Sequence, residues 1–548
     1  MKKKKPVDTK SKEGVTLSRT NPFKEWAILV GVLIVTFSYR LYFIKYYDVM
    51  SADGTSYALS GKGFFETLDL HVFGTVQPPL YPFFVGVFNL VLHDLEIAAR
   101  TVSVVFSTLT IIPLYLMTRE LFGKLAAFCA TILFMVLPFI HQMSGTDITE
   151  PTYTFFAFAG TWVFWKAFTG KKSLYFVFAG ILLGLAYLAR PEGFIVSFTL
   201  CAFFIGMGIY ISGTANELRK LVLFLGLFWC GFMIMALPYM GYLHEATGKW
   251  QLSGKTDLNS NIIREYRGQV AGDQHMRLDS KGNIVGAGDS TILDIMKKEP
   301  DLFWGNIREN LKVLPHEFNS TFPVYLWPLV LIGLFVYPCR SEQLGMRFVL
   351  ISMCTPLVLY VLYFIQARGF YAYVPVLLVF VGGGSSKIEN WLERISHRPL
   401  TKLPAMSLVI ALLAAYFVYT ELPRPKPPYD YNQDGGRYDD KQVGMKLRTL
   451  LPENAVIMTR SGRIGFYSQR RFMNPPQGGL EEIITYARKN DVGYLIATIQ
   501  LLNMRPQLET LYAPLIKPGS LFVPPLGLEL VYTGQEPGGL PYLVYHLR

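Results

Sequence analysis

Stretches of about 20 apolar residues recur along this chain of 548 residues, and they constrain its fold more than any other feature. As a helix, each such stretch is long enough to cross the hydrocarbon core of a bilayer, which is about 30 Å thick. Charged residues make up only 17% of the chain, fewer than a soluble protein carries. We therefore predict a polytopic α-helical membrane protein with about eleven transmembrane helices. The predicted spans are residues 26–46, 98–118, 125–143, 151–168, 173–189, 194–212, 220–242, 323–338, 346–366, 370–385 and 403–421.

Basic residues between these stretches predict how the chain is threaded through the membrane. The N-terminal segment, residues 1–24, is lysine-rich and precedes an apolar stretch longer than a signal-peptide core, so we expect a cytoplasmic tail. With that tail inside, every loop predicted inside carries Lys or Arg, as the positive-inside rule requires. The apolar segment 78–92 has about 15 residues and begins Pro-Pro, so it is interpreted as an interfacial or re-entrant helix. Counting it as a span would move the basic loops outside.

This threading places the unusual polar residues on the outer side of the membrane. The predicted external segments are residues 47–97, 144–150, 190–192, 243–322 and 366–369. The net charge of +12 lies in short clusters beside apolar segments, which indicates contact with anionic membrane lipids and argues against nucleic-acid binding. The five cysteines show neither a disulfide framework nor the spacing of metal ligands.

The composition changes after residue 421, where the predicted transmembrane domain, residues 25–421, ends. A Pro-rich linker, residues 422–434, leads to a segment of soluble character, residues 435–548. Short apolar runs such as AVIMT, GYLIAT and LELVY alternate there with the helical pattern LEEIITYARKN. We predict a small α/β domain outside the membrane.

Asp53 follows the first predicted span, in the segment SADGTSYAL. One interpretation is a helix cap, because Ser51, Asp53 and Thr55 are all good cap residues. The other is a general base, because a carboxylate at the membrane surface can take the proton of an acceptor hydroxyl that attacks an activated sugar.

Asp147 and Glu150 lie three residues apart in the external segment HQMSGTDITEP. Pro151 suits the first turn of the next helix, so Thr149 or Asp147 could have a capping role. Acids beside a membrane are costly unless they line water or hold a cation or substrate hydroxyls, which favours a functional role. The pair permits a divalent cation as a cofactor without requiring one, and no residue is assigned as a metal ligand.

Arg190, in LARPEGF, and Arg368, in IQARGFY, lie at the outer ends of predicted spans. Either side chain could simply extend to the interface. The functional alternative is binding of a polyprenyl-phosphate group, because a guanidinium offers a bidentate match to phosphate oxygens.

These segments together resemble the GT-C glycosyltransferases of the dolichyl-phosphate-mannose protein mannosyltransferase superfamily, which includes bacterial aminoarabinose transferases acting on lipid A. The matching segments, in chain order, are SADGTSYAL, QPPLYPFF, IAARTVSVVFSTLTIIPLYLMTRELFG, SGTDITEPTY and GLAYLARPEGF. The resemblance covers most of the membrane part. It implies a GT-C fold with external juxtamembrane helices, one of which begins at Pro78.

The resemblance also implies an activity, the inverting transfer of a sugar from a polyprenyl-phosphate donor to an extracytoplasmic acceptor. It makes Asp53 the catalytic acidic residue of the first loop and matches Asp147 and Glu150 to a second acidic motif. Some relatives have a basic residue where this chain has Gln77, so contact with the phosphate is expected from Arg190, Arg368 or Lys62. The residues expected to bind substrate are Tyr57, Lys62, His71, Gln77, Tyr81, Arg190, Glu192 and Arg368.

Two other classes of protein stay open at this point. A transporter or flippase is also polytopic, but it is expected to carry charged residues within its spans, whereas the charges here lie at their ends. A non-catalytic assembly protein would use the external domain to bind a partner. The expected partners are the sugar donor, a protein, lipid or glycan acceptor, and membrane lipids. The expected location is a bacterial inner membrane, with the N-terminus cytoplasmic and the C-terminal domain extracytoplasmic.

Overall fold

The computed structural model describes most of the chain. The described residues are 22–47, 49–212, 215–267, 276–278, 284–286, 291–336, 341–396, 405–421, 436–513, 527–535 and 541–548. Residues 1–21 of the predicted tail and the predicted linker, residues 422–434, lie outside them.

Helices account for most of the described part of residues 22–421. They are α1 (Pro22–Phe43), α2 (Ala52–Thr67), α3 (Leu80–Leu92), α4 (Leu95–Leu109), α5 (Ile111–Phe122), α6 (Lys124–Val136), α7 (Pro138–Ser144), α8 (Glu150–Gly170), α9 (Ser173–Ala189), α10 (Glu192–Ser212), α11 (Ala215–Thr247), α12 (Lys255–Tyr266), α13 (Ile292–Lys298), α14 (Pro300–Thr321), α15 (Trp327–Phe335), α16 (Ser341–Ser352), α17 (Leu357–Leu362), α18 (Val374–Ser396) and α19 (Ala405–Glu421). A short antiparallel pair, β1 (Met276–Leu278) and β2 (Ile284–Gly286), lies between α12 and α13. One large apolar core runs through this helical region.

Four helical segments of the described chain are long and apolar enough to cross a membrane: Phe23–Tyr46, Leu95–Phe122, Arg219–Thr247 and Leu344–Leu362. Two bent helix pairs raise this number to as many as six. They are Lys124–Val136 with Pro138–Ser144, bent by 59°, and Pro300–Thr321 with Val324–Phe335, bent by 82°. The protein is thus a multi-pass membrane protein, whereas its eleven spans and its sidedness stay predictions.

The helix α3 corresponds to the segment that was interpreted as interfacial. Its inner face is buried against α2 and α4, through residues such as Tyr81 and Val85. Leu90 and Val91 at its other end are exposed. A helix of 13 residues with one buried and one exposed apolar face is too short for a span and suits a position along the membrane surface.

Residues 436–548 contain a mixed five-stranded sheet of strand order β4-β3-β5-β7-β6. Its strands are β3 (Val456–Met458), β4 (Arg471–Met473), β5 (Tyr494–Thr498), β6 (Leu528–Gln535) and β7 (Pro541–Leu547). The helices are α20 (Gly436–Leu450), α21 (Gly462–Ser468), α22 (Leu480–Lys489) and α23 (Ile499–Met504). Successive residues of β5, Leu495 and Ile496, enter different apolar clusters because side chains alternate across a strand. Both faces of the central strands are therefore covered. The strands β3, β5 and β6 lie in the three apolar runs named above, and α22 lies in the helical pattern.

Candidate active site

Asp53 lies in the first turn of α2, and its side chain points into a cavity. The cap of this helix is Ser51, whose hydroxyl accepts a hydrogen bond from the Gly54 amide at 2.9 Å. Asp53 is therefore not needed as the cap. Its Oδ2 lies 3.1 Å from Nη1 of Arg368, and the two side chains are 42% and 41% exposed.

Asp147 has a different environment, although it shares an acidic motif with Glu150. It is 1% exposed, and its Oδ2 accepts hydrogen bonds from the amide and the hydroxyl of Ser51 at 2.8 and 2.7 Å. A Cβ on Gly54 would lie 1.4 Å from the same oxygen, so only glycine permits this approach. Asp147 thus joins two segments that are distant in the chain and does not line the cavity.

Glu150 begins α8 and forms one side of a buried ion-pair network centred on Arg190. Nη1 of Arg190 lies 2.5 Å from Oε1 of Glu150, and Nη2 lies 2.7 Å from Oε1 of Glu192. The Tyr360 hydroxyl donates to the same Glu192 oxygen at 3.2 Å. Thr149, which precedes α8, makes no side-chain cap hydrogen bond. Thr149 therefore does not have the capping role that was one of its two predicted interpretations.

The backbone places Arg190 at the cavity because α9 ends one residue earlier. Arg190 has extended dihedral angles, φ −153° and ψ 137°, as expected for a residue that precedes a proline. The next helix, α10, begins at Glu192, so both residues of the ion pair lie in one tight turn.

Arg368 reaches the cavity because the chain unwinds after α17. Side-chain amides of Asn306 and Asn310 on α14 donate to the carbonyls of Val361, Leu362 and Tyr363 at 2.9 to 3.2 Å. These bonds satisfy the carbonyls that the helix leaves unpaired at its C-terminal end. The chain then forms a 3-10 helix at Ala367–Ala372 that carries Arg368.

Three acidic and three basic side chains line one cavity of about 270 Å³. The third cation is Lys255, the first residue of α12, which sequence analysis missed. The charged residues that line the cavity are Asp53, Glu150, Glu192, Arg190, Lys255 and Arg368. Apolar and aromatic side chains, including Tyr57, Phe194, Leu359 and Phe364, form another part of the lining, beside uncharged polar residues such as Asn259. A charge-balanced cavity with an apolar flank can hold a charged head group and part of an apolar tail.

The charges of the cavity determine the protonation of Asp53. Burial alone would raise the pKa of this carboxyl, but the positive charges of Arg368 and Lys255 outweigh burial and hold the pKa below its ordinary value. Burial lowers the pKa of Lys255, and Asp53 opposes that shift. For Arg368, burial would lower the pKa, but Asp53 and Glu150 raise it overall. Asp53 is thus ionised at neutral pH and the guanidinium stays charged.

Four residues predicted to bind substrate do not line the cavity. Lys62 is half exposed and lies 3.6 Å from Glu66, and His71 pairs with Asp69 on the surface at 2.7 Å. The Tyr81 hydroxyl is buried and donates to the Ala99 carbonyl at 2.8 Å. Gln77 precedes the lining residue Pro78. Tyr57 does line the cavity, and its ring packs edge-on against Tyr81 at 5.3 Å.

Among the described residues, no three His, Cys, Asp or Glu side chains group in a way that could hold a metal ion. Asp147 and Glu150 do not converge, because one binds Ser51 and the other Arg190.

Comparison with known families gives a match over residues 76–239 to dolichyl-phosphate-mannose-protein mannosyltransferase. Among solved structures, ArnT from Cupriavidus metallidurans in the apo state is similar, with a TM-score of 0.55, 12% sequence identity and coverage of 96% of this chain and 98% of that chain. The oligosaccharyltransferase of Archaeoglobus fulgidus in the apo form also has a TM-score of 0.55, with 14% identity over 88% of this chain and 71% of that chain. The resemblance to GT-C glycosyltransferases is confirmed.

A further structure of the Cupriavidus metallidurans ArnT is bound to undecaprenyl phosphate. It matches with a TM-score of 0.51 and 12% identity, over 95% of this chain and 97% of that chain. No curated protein matches the chain by sequence. At these identities the solved structures show a shared GT-C fold, and the family match covers the second acidic motif and Arg190.

Proposed function

We propose that this protein is a membrane glycosyltransferase that moves a sugar from a polyprenyl-phosphate donor to an acceptor hydroxyl on the extracytoplasmic side, with inversion. The observation that carries the proposal is an ionised carboxylate, Asp53, within 3.1 Å of Arg368 in a cavity with two further cations. The matched family acts with a dolichyl-phosphate sugar, and a structure of the same fold binds undecaprenyl phosphate. Both support a lipid-phosphate donor.

The proposed chemistry is a single displacement. Asp53 takes the proton of the acceptor hydroxyl while the oxygen of that hydroxyl bonds to the anomeric carbon of the sugar. The bond from that carbon to the phosphate oxygen breaks, and polyprenyl phosphate leaves. Arg368 and Lys255 stabilise the charge of the leaving phosphate, as guanidinium and ammonium groups do in other phosphate sites.

Arg190 is held more tightly than Arg368, because two buried carboxylates, Glu150 and Glu192, already neutralise its charge. We infer that it shapes the cavity wall. Arg368 has one close acidic partner, Asp53, and a more distant one, Glu150, at 3.9 Å. An arriving phosphate would therefore bind Arg368 and weaken its hold on Asp53, which raises the pKa of the base in the donor complex.

The experiment that tests this proposal supplies purified protein with polyprenyl-phosphate donors that carry a labelled sugar, together with protein, lipid and glycan fractions of the envelope as acceptors. We expect label in one acceptor fraction and an equal amount of free polyprenyl phosphate. Movement of intact donor across sealed vesicles without release of sugar would instead indicate a flippase. Mass spectrometry of envelope glycans with and without the protein would then identify the sugar and acceptor.

A further inference from the structure

The α/β domain of residues 436–548, called the soluble domain below, contacts the helical region close to the site. Phe466 of α21 packs against the large core of the helical region. Nζ of Lys441 on α20 lies 3.5 Å from Oε2 of Glu96, in the first turn of α4. The same ammonium lies 4.8 Å from the ring centre of Tyr467. The soluble domain is thus held against the helical region by an apolar contact and by a partly buried ion pair.

Tyr467 makes the contact that reaches toward the cavity. Its hydroxyl accepts a hydrogen bond from the Met50 amide at 2.9 Å, and Met50 is fully buried. The next amide, of Ser51, donates to Asp147. Two consecutive amides ahead of α2 are thus held by one side chain of the soluble domain and one of the helical region.

Tyr467 is itself held firmly in the soluble domain. The backbone of α20 approaches it at Gly444, where a Cβ would lie 2.7 Å from the Cβ of Tyr467. The cap residue of α21, Ser461, donates to Asp440 of α20 at 2.7 Å, and Arg463 pairs with the same carboxylate at 2.8 Å. The hydroxyl therefore presents a fixed acceptor to the segment before α2.

We propose that the soluble domain is part of the catalytic assembly, and that Tyr467 is a positioning residue that fixes the N-terminal end of α2 and thereby the location of Asp53. Only two residues, Ser51 and Ala52, lie between Met50 and Asp53 along the chain. A shift of about 1 Å in a reacting group can cost about a hundredfold in rate. This role rests on the proposed function for its effect on rate, but not for its effect on the backbone.

The docking is tested first, without reference to activity. A Cβ on Gly462 would lie 3.5 Å from Oγ1 of Thr55, the place that the sulfur of a cysteine at position 55 can take, so a cross-link between the two positions is within reach. We expect the double variant Thr55→Cys with Gly462→Cys to form a disulfide on mild oxidation, mapped by mass spectrometry of peptides. Absence of the disulfide would overturn the docking and with it the proposal.

The positioning is tested with Tyr467→Phe, which removes the acceptor of the Met50 amide and keeps the ring. Tyr512→Phe is the matched control, because the buried Tyr512 hydroxyl donates within the same domain, to the Thr498 carbonyl at 2.5 Å. We expect faster amide hydrogen exchange in residues 49–55 for Tyr467→Phe and unchanged exchange there for Tyr512→Phe. Equal exchange in both variants would overturn the positioning role.

With a labelled donor, Tyr467→Phe is expected to lower kcat about tenfold at an unchanged KM for the donor. The disulfide between positions 55 and 462, introduced into Tyr467→Phe, should restore kcat when oxidised and lose it again when reduced. A kcat equal to that of the unsubstituted protein would overturn the role in catalysis. If the unsubstituted protein transfers no sugar, the proposed function fails, whereas the disulfide and hydrogen exchange still decide the positioning.

Discussion

Asp147 binds Ser51, at a junction two residues before Asp53 in the chain, yet Asp147 and Asp53 have opposite environments. Asp147 is buried, and its Oδ2 accepts hydrogen bonds from both the amide and the hydroxyl of Ser51. Asp53 is nearly half exposed to the cavity and pairs with Arg368. A carboxylate whose lone pairs face polar protein groups holds structure, whereas one that faces open space can accept a proton.

This difference separates stability from chemistry in a way that substitutions can measure. Removal of Asp53 should affect the reaction and hardly affect folding. Changes at the junction should affect folding first and the reaction only as a consequence.

The largest effect is expected from Asp53→Asn, which keeps the shape of the side chain and removes the base. We expect sugar transfer to fall by a factor of about 10² to 10⁴. Thermal unfolding should hardly change, because an ion pair between half-exposed side chains contributes about 0 to 1 kcal/mol. Glu66→Gln on the same helix is the control, since Glu66 is 60% exposed and outside the cavity. Full transfer by Asp53→Asn would remove the residue from the mechanism.

Gly54→Ala should disrupt the junction most. The new methyl group would lie 1.4 Å from Oδ2 of Asp147, so the carboxylate must leave Ser51. We expect a loss of about 1 to 3 kcal/mol in the free energy of unfolding. Gly63→Ala, on the same helix, is the control, because its Cβ would meet only Val72 at 3.6 Å. Equal stability of the two variants would show that the junction is looser than the structure indicates.

Asp147→Asn is expected to be milder, because the amide oxygen still accepts a hydrogen bond from Ser51 but without a negative charge. Charged acceptors bind about twice as strongly as neutral ones, so the loss should be about 1 kcal/mol. Transfer per folded molecule should fall far less than for Asp53→Asn. A stable Asp147→Asn protein that is as inactive as Asp53→Asn would give both acids a chemical role.

The sequence predicted which residues of each motif belong to the site, but it did not predict how the motifs contact one another. Asp53, Glu150, Arg190 and Arg368 all line the cavity, as their placement at the ends of predicted spans suggested. Asp147 and Glu150 lie three residues apart in one motif, but residues 145–149 are not helical, so this spacing does not put both acids on one helical face. That local unwinding has no signature in residue type alone.

Other features depended on contacts between distant parts of the chain. Lys255 lies in a polar segment without an apolar period, where no pattern marks one lysine from another. Arg40 lies in a predicted span and is fully buried, because Ser107 and the Phe134 carbonyl accept its hydrogen bonds at 2.9 Å. The unwinding before Arg368 depends on two asparagines of α14. Sequence periodicity identifies helices but cannot identify partners that lie tens of residues away.

The smallest effect, on pH dependence, tests whether the cavity wall changes when a donor binds. Arg368 and Lys255 hold the pKa of Asp53 below its ordinary value in the free protein, so activity should persist above that pKa and fall as the pH drops through it. The profile of kcat/KM reports the free protein, and that of kcat reports the donor complex. Because a bound phosphate competes for Arg368, we expect the acidic limb of kcat at higher pH than that of kcat/KM.

Lys255→Met sharpens the same measurement. Loss of this positive charge should raise the pKa of Asp53 and move the acidic limb of kcat/KM to higher pH. Lys312→Met is the control, since Lys312 is an exposed lysine on α14 that pairs with Glu309 at 2.7 Å. Asp53→Asn should abolish the acidic limb of the pH profile altogether, because the group that titrates is removed. An acidic limb that stays in place in Lys255→Met would mean that a group other than Asp53 titrates. Asp147 would still be the structural acid, but the reacting acid would then have to be a residue other than Asp53.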